Sequence, residues 1–147
     1  MSDNFFAYIS RMRYIRRWSL MRNSIPENIQ EHSHMVAVIA HALGVIRRDV
    51  LGIPCDVNAC AAVALYHDAS EILTGDLPTP IKYHDDEIMS AYIKCIEERK
   101  AGNNEFASAE KQTLAALHAY NMPEVEYFIG HFIPAFEKTL DELGSIE

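Results

Sequence analysis

Cysteine is scarce in this chain, and positive charge is outweighed. Cys55, Cys60 and Cys95 are the only three thiols, an odd number at spacings that fit no zinc motif. They argue against a disulfide framework, and they read as packing residues of a protein kept reduced. Lysine and arginine total 13 against 21 acidic residues, a formal net charge of −8. That balance disfavours a nucleic-acid polymer or a membrane surface as partner. A small anionic substrate stays open, because a local cluster of arginines can oppose the global sign. No apolar run reaches membrane-spanning length, and Met1-Ser2-Asp3-Asn4 lacks the basic-then-apolar order of a signal peptide. The cytoplasm is the expected location. Internal repeats, low-complexity tracts and linkers are missing, and no stretch alternates with period two for long enough to demand a sheet.

What is present is a helical pattern in a chain 49% hydrophobic, enough for a single domain with its own core across residues 1–147. Apolar spacing predicts a helix over 5–15, then a basic stretch, Arg16-Arg17-Trp18, and a polar loop around Asn23-Ser24-Ile25-Pro26. A long helix is expected from about Asn28 to Arg48 on Val36, Ile39, Ala40, Leu43 and Ile46, ended by Gly52 and Pro54. Asp56 or Asn58 caps the next helix, which carries Ala61, Ala62, Ala64, Leu65 and His67-Asp68. Thr74-Gly75-Asp76-Leu77-Pro78-Thr79-Pro80 cannot continue it. Further helices are expected over about 85–101, 105–120 and 124–143, the last kinked at Pro134. Its Phe132–Phe136 stripe fits either a core or a dimer face.

The chemistry concentrates in Tyr66-His67-Asp68-Ala69-Ser70-Glu71, set against His32 in the preceding helix. His67 and Glu71 are four residues apart and Asp68 and Glu71 three apart, so all can edge one helical face. His32 stands near the start of one helix and His67-Asp68 near the end of the next, and antiparallel packing would bring them together. Two imidazoles and a carboxylate suit a divalent metal, and Glu71 beside them suits an acid or base. Hydrolysis is the natural reaction. Alone, His32 would pass for a surface or capping residue and His67-Asp68 for a polar pair at a helix end. His34, His41, His84, His118 and His131 lack comparable surroundings, and His84-Asp85 reads as a helix start.

Phe5-Phe6-Ala7, Arg17-Trp18, Met21-Arg22-Asn23, Glu27-Asn28, Glu31-His32-Ser33, Tyr66-His67-Asp68-Ala69-Ser70-Glu71, Thr74-Gly75-Asp76-Leu77-Pro78-Thr79-Pro80 and Ala101-Gly102-Asn103-Asn104-Glu105-Phe106 follow one another in this order. Together they resemble the YfbR-like 5'-deoxynucleotidases of the HD-domain phosphohydrolase superfamily, over nearly the whole chain. The resemblance implies an all-α HD-domain helical bundle, a homodimer that removes the 5'-phosphate from deoxyribonucleoside 5'-monophosphates. It implies one divalent metal ion per subunit, such as cobalt, manganese, magnesium or zinc. By motif match, His32, His67 and Asp68 are the metal ligands, and His32 and Asp68 also adjoin the substrate. Glu71 is the acid/base group, Arg17 orients the phosphate, and Trp18 shapes the sugar pocket, with a core role as its alternative. Asp76, Leu77, Pro78 and Thr79 match the loop that closes around the nucleotide. Rival readings are an HD hydrolase of another nucleotide, triphosphate or cyclic, or an impaired HD regulatory module.

The chain departs from this pattern at one place. The family's fourth metal ligand is an Asp shortly before a run like Ala91-Tyr92-Ile93-Lys94-Cys95, and here Glu87 stands four residues before Ala91. The chain is also several dozen residues short in this region, with the family pattern interrupted around 89–93. The usual fourth ligand is therefore expected to be absent, with Asp86 or Glu87 as its rival substitute.

Overall fold

A computed structural model describes residues 4–76 and 85–144. In order the chain forms α1 (Phe5–Ile9), a 3-10 turn (Ser10–Tyr14), α2 (Ile29–Val45) with a π turn (Ile46–Val50), α3 (Val57–Tyr66) and α4 (Glu71–Thr74). Then come α5 (Asp85–Lys100), a 3-10 turn (Asn104–Phe106), α6 (Ala107–Ala119), α7 (Pro123–His131), α8 (Ile133–Phe136) and α9 (Leu140–Gly144). Among the described residues there is no strand, only one isolated antiparallel bridge between Arg16 and Asn28. None of their helices is long and apolar enough to cross a membrane.

Local chemistry sets the helix starts. Asn28 opens α2 with a capping box: its side chain accepts from the Glu31 N–H at 3.0 Å, and the Glu31 carboxylate accepts from the Asn28 N–H at 3.1 Å. Asp56 opens α3 by accepting from the Ala59 N–H at 3.0 Å. The turn between them passes through Gly52 at φ +70°, a conformation that glycine enters without a Cβ penalty. α2 and α3 then run back antiparallel. Gly44 near the end of α2 faces Val57 at the start of α3, where a Cβ would meet the valine at 3.4 Å. At the far end of the pair His32 faces Asp68.

α5 is the central element, packed against α2 and α6. Ile88, Met89, Tyr92, Ile93 and Ile96 join Ile39 and Leu43 of α2, Ile46 of the π turn, Leu117 of α6, Val125 and Phe128 of α7 and Ile133 of α8 in one core. A helix enclosed on several sides also buries its polar residues, and Glu87, Ser90, Lys94 and Glu98 are all inside. Such groups persist only where partners satisfy them.

Three expectations need correction. The stretch 5–15 is α1 followed by a 3-10 turn, because Met12 alone of it is buried and little packing enforces the α period. The C-terminal stretch is broken into α7, α8 and α9 rather than kinked. Pro134 lies in the first turn of α8, where its missing N–H costs no hydrogen bond. Of the thiols, Cys95 alone is buried; Cys60 is exposed and Cys55 half-buried, their sulfurs 3.7 Å apart.

Candidate active site

His32, in the second turn of α2, is wholly buried. His67 is the residue that ends α3, and Asp68 follows it, 2% exposed. Asp68 Oδ2 lies 3.1 Å from His67 Nε2 and 3.5 Å from His32 Nε2. Glu87, in the first turn of α5, completes the group: one ligand atom from each of His32, His67, Asp68 and Glu87 lies within 4.8 Å of all the others. Two imidazoles and two carboxylates converging in a buried space form a donor set for a divalent first-row metal or magnesium. The ring of His67 is oriented for this. Its Nδ1–H donates to the Ala64 carbonyl at 2.6 Å, which fixes the tautomer and leaves the Nε2 lone pair towards the cluster. Burial lowers the affinity of His67 for a proton, but the hydrogen bond and charge of Asp68 outweigh it, so its pKa is raised.

Beside this cluster stands a second construction. The N–H of Arg17 donates to the Glu27 carbonyl at 3.0 Å, and the N–H of Ile29 to the Ile15 carbonyl at 3.0 Å, tying residues 15–17 to the head of α2. Arg17 is thereby buried, with Nη1 2.8 Å from Glu27 Oε2 and 2.9 Å from His32 Nδ1. Trp18 follows at φ +61°, a left-handed backbone that a bulky residue adopts only when its surroundings impose it. Those surroundings are visible. Its N–H donates to Asp76 Oδ2 at 3.2 Å and its indole Nε1–H to Glu27 Oε2 at 2.9 Å. Its ring meets the buried Phe106 edge-on at 5.4 Å, and the Arg17 guanidinium lies over it at 5.2 Å. The loop between Trp18 and Glu27 is pinned from α5. Glu98 accepts from the N–H groups of Ser24 and Ile25 at 2.7 and 2.9 Å, from Lys94 at 2.7 Å and from Asn103 at 2.9 Å. Lys94 also donates to the Ile25 carbonyl.

A cleft of about 460 Å³ opens between these parts, bounded by Arg17, Trp18, Asp76 and Glu87 on one side and by Ala109, Gln112 and Thr113 of α6 on the other. That is the size of a small-ligand site. A family model described as 5'-deoxynucleotidase YfbR-like matches residues 4–90 and 86–136. The chain belongs to the YfbR-like 5'-deoxynucleotidase family. The 5'-deoxynucleotidase VP0926 of Vibrio parahaemolyticus is 38% identical to it, over 97% of this chain and 98% of that protein. The 5'-deoxynucleotidase YfbR of Shigella boydii is 36% identical, over 97% and 96%. The fold is that of HD-domain phosphohydrolases. One from Listeria innocua superposes with a TM-score of 0.79 at 21% identity, over 90% of this chain and 88% of that one. Another, the cyanophage S-2L HD phosphohydrolase DatZ, solved with dA and one catalytic Zn2+ ion, gives 0.69 at 20% identity, over 95% and 99%.

The two blocks matched by the YfbR-like family model share residues 86–90. The alignment to the Vibrio protein runs over 191 positions, 44 more than the 147 residues of this chain. Glu87 thus stands where the two family blocks meet, and it is the fourth residue of the buried cluster. The side chain of Asp86 lies outside the described residues, as do Leu77, Pro78 and Thr79. Glu71 begins α4, 3% exposed, with its N–H donating to the Asp68 carbonyl at 3.0 Å. Asp76 reaches Trp18 as described. His34 and His41 are exposed. His118 pairs with Glu126 at 2.7 Å, and His131 donates to the Tyr127 carbonyl at 2.9 Å, both away from the cluster. Sequence reasoning missed Glu27 and Ser90. Glu27 carried a signal, since it directly precedes the cap of the helix that bears His32. Ser90 carried none, a lone serine among the apolar residues Ile88, Met89 and Ala91.

Proposed function

We propose that this chain is a metal-dependent phosphohydrolase that removes the 5'-phosphate from deoxyribonucleoside 5'-monophosphates. One observation carries the reading: a buried cluster of His32, His67, Asp68 and Glu87 lies next to a cleft walled by Arg17 and Trp18. His32, His67 and Asp68, with Glu87 as fourth, would hold one divalent ion. When bound, such an ion lends positive charge to the phosphoryl group and acidifies a water. The remaining work belongs to the chain. Arg17 presents guanidinium N–H groups to the phosphate, a geometry lysine lacks. Glu71, buried one turn beyond Asp68, takes and returns a proton. Trp18 stands as a flat wall that disfavours a 2'-hydroxyl by shape and by leaving it unpartnered. Asp76 holds the Trp18 backbone N–H at the edge of the cleft, and the nucleotide contacts that the motif match assigns to Leu77, Pro78 and Thr79 fall outside the described residues. His32 and Asp68 adjoin the substrate as well as the ion. The names of the family members and the dA and zinc ion of the cyanophage protein support the substrate class.

The same reading assigns the protein to the cytoplasm as a homodimer, and a solution mass twice that of one chain checks the latter. The test of function is phosphate release from a panel of deoxy- and ribonucleoside monophosphates, deoxynucleoside triphosphates and cyclic nucleotides, with Co2+, Mn2+, Mg2+ or Zn2+ added to chelator-treated protein. Release from deoxynucleoside monophosphates above all others, and only with metal, is expected. Preference for a triphosphate or cyclic nucleotide, or no release with any metal, overturns the reading.

A further inference from the structure

We propose that Ser90 is the positioning residue that sets the His32 ring for metal binding, and that it competes with Arg17 for the same ring nitrogen. The inference rests on the metal-dependent reading above and concerns where one proton sits.

His32 Nδ1 faces two groups. Arg17 Nη1 is 2.9 Å away and Ser90 Oγ 3.4 Å away. A guanidinium only donates hydrogen bonds, so wherever Arg17 bonds Nδ1, that nitrogen is the acceptor and the ring proton is on Nε2. Nε2 is the atom on the side of the cluster, 3.5 Å from Asp68 Oδ2. A ring that ligates through Nε2 needs its lone pair there, so its proton must sit on Nδ1 and find an acceptor. Arg17 cannot supply one, whereas the hydroxyl oxygen of Ser90 can.

The two histidines therefore differ. His67 already meets the requirement through the Ala64 carbonyl. Of the two groups that face His32 Nδ1, Ser90 meets it and Arg17 does not. Ser90 is well placed to do so. It lies on α5 one turn after Glu87, is 4% exposed, and faces a ring that is wholly buried. The Arg17–His32 contact and ligation through Nε2 exclude one another. An ion held on Nε2 would thus free an Arg17 N–H from His32, while Glu27 keeps the guanidinium at the cleft, where an anionic phosphate could take the freed donor.

Metal affinity, rather than turnover, tests this. Calorimetric titration of Mn2+ into chelator-treated wild-type protein, Ser90→Ala and Ser90→Thr is compared, with thermal melts to verify folding. A loss of roughly 10–100-fold in Ser90→Ala, with Thr near wild type, is expected for an outer partner of a ligating histidine. Equal affinity in Ser90→Ala overturns the proposal. The wild-type protein needs no variant for the second arm: in 15N-histidine-labelled protein loaded with diamagnetic Zn2+, His32 should carry its proton on Nδ1, and a ring still protonated on Nε2 also overturns it. Failure of the wild type to bind any metal would instead remove the functional reading itself.

Discussion

The indole Nε1–H of Trp18 donates to Glu27 Oε2 at 2.9 Å. The same oxygen accepts from Arg17 at 2.8 Å, so one carboxylate atom holds both the Arg17 guanidinium and the Trp18 indole, to which we assign the phosphate and the sugar. Charge-assisted bonds of this kind are each worth about 1.5–3 kcal/mol. Glu27→Ala should therefore raise KM for a deoxynucleoside monophosphate by about tenfold or more and erode discrimination against the ribonucleotide. Glu27→Gln, which keeps an acceptor oxygen, should fall between. Steady-state kinetics on a dNMP and NMP pair check this, and an unchanged ratio in the alanine variant would separate Glu27 from sugar choice.

Trp18 itself is the direct test of the sugar wall. Its left-handed backbone is held by Asp76, and its ring by Glu27 and Phe106, so it presents a fixed surface to the cleft. Trp18→Ala should accept a 2'-hydroxyl more readily, seen as a fall in the ratio of kcat/KM for deoxy- over ribonucleotide. A ratio that stays at the wild-type value returns Trp18 to a packing role.

Glu71 should separate binding from chemistry. It is buried beside Asp68 yet outside the His32, His67, Asp68 and Glu87 cluster. Glu71→Ala is expected to bind metal as the wild type does and to lose roughly two orders of magnitude or more in kcat, the size of a general acid or base contribution. Parallel calorimetry and turnover measurements decide, and near-normal turnover removes Glu71 from the reaction.

Glu87 tests the cluster in the opposite direction, because its removal should cost metal first. Glu87→Ala should weaken metal binding by more than the roughly 10–100-fold that an outer partner commands, while Glu87→Asp should retain part of it. Titration of both variants with one metal checks this. Wild-type affinity in Glu87→Ala would reduce the site to three protein ligands.

The helical bundle and the meeting of His32 with His67-Asp68 were legible because local rules dictate them. Asn28 and Asp56 announce helix starts, Gly52 and Pro54 force the reversal, and an antiparallel pair must bring the head of α2 to the tail of α3. The contacts of Glu27 and Ser90 were not legible for the converse reason, although the place of Glu27 before the α2 cap was a signal. Their roles arise from contacts across ten and fifty-eight positions of sequence, which no periodicity encodes. The same holds for Glu98, Lys94 and Ser90 along α5. The sequence predicts that helix over about 85–101, yet not that these polar residues are buried, which follows because the loop before α2 and the ring of His32 pack onto them. The C-terminal break was misread because a proline in a first helical turn looks, in sequence, like a proline inside a longer helix.

Glu98 supplies a pH test of how the cleft is held. Burial alone would raise its pKa, but the hydrogen bonds from Lys94, from the N–H groups of Ile25 and Ser24 and from Asn103 together bring it down to about 2. In the unfolded chain Glu98 takes up a proton near the ordinary glutamate value of about 4.3. Above that pH both states are ionised and the full stabilisation is present. As pH falls from there towards 2 the unfolded state gains the proton first, and the contribution is lost. Glu98→Gln should therefore be less stable than wild type at pH 7, by about 2–4 kcal/mol, since it also removes the negative charge paired with the buried Lys94. The gap should shrink when both proteins are unfolded by urea at pH 3. A constant gap would mean that the carboxylate charge contributes nothing. Because Glu98 anchors the loop that carries Glu27, the variant should also show a raised KM at pH 7 with its metal affinity unchanged, which distinguishes loss of the Arg17 and Trp18 wall from damage to the cluster.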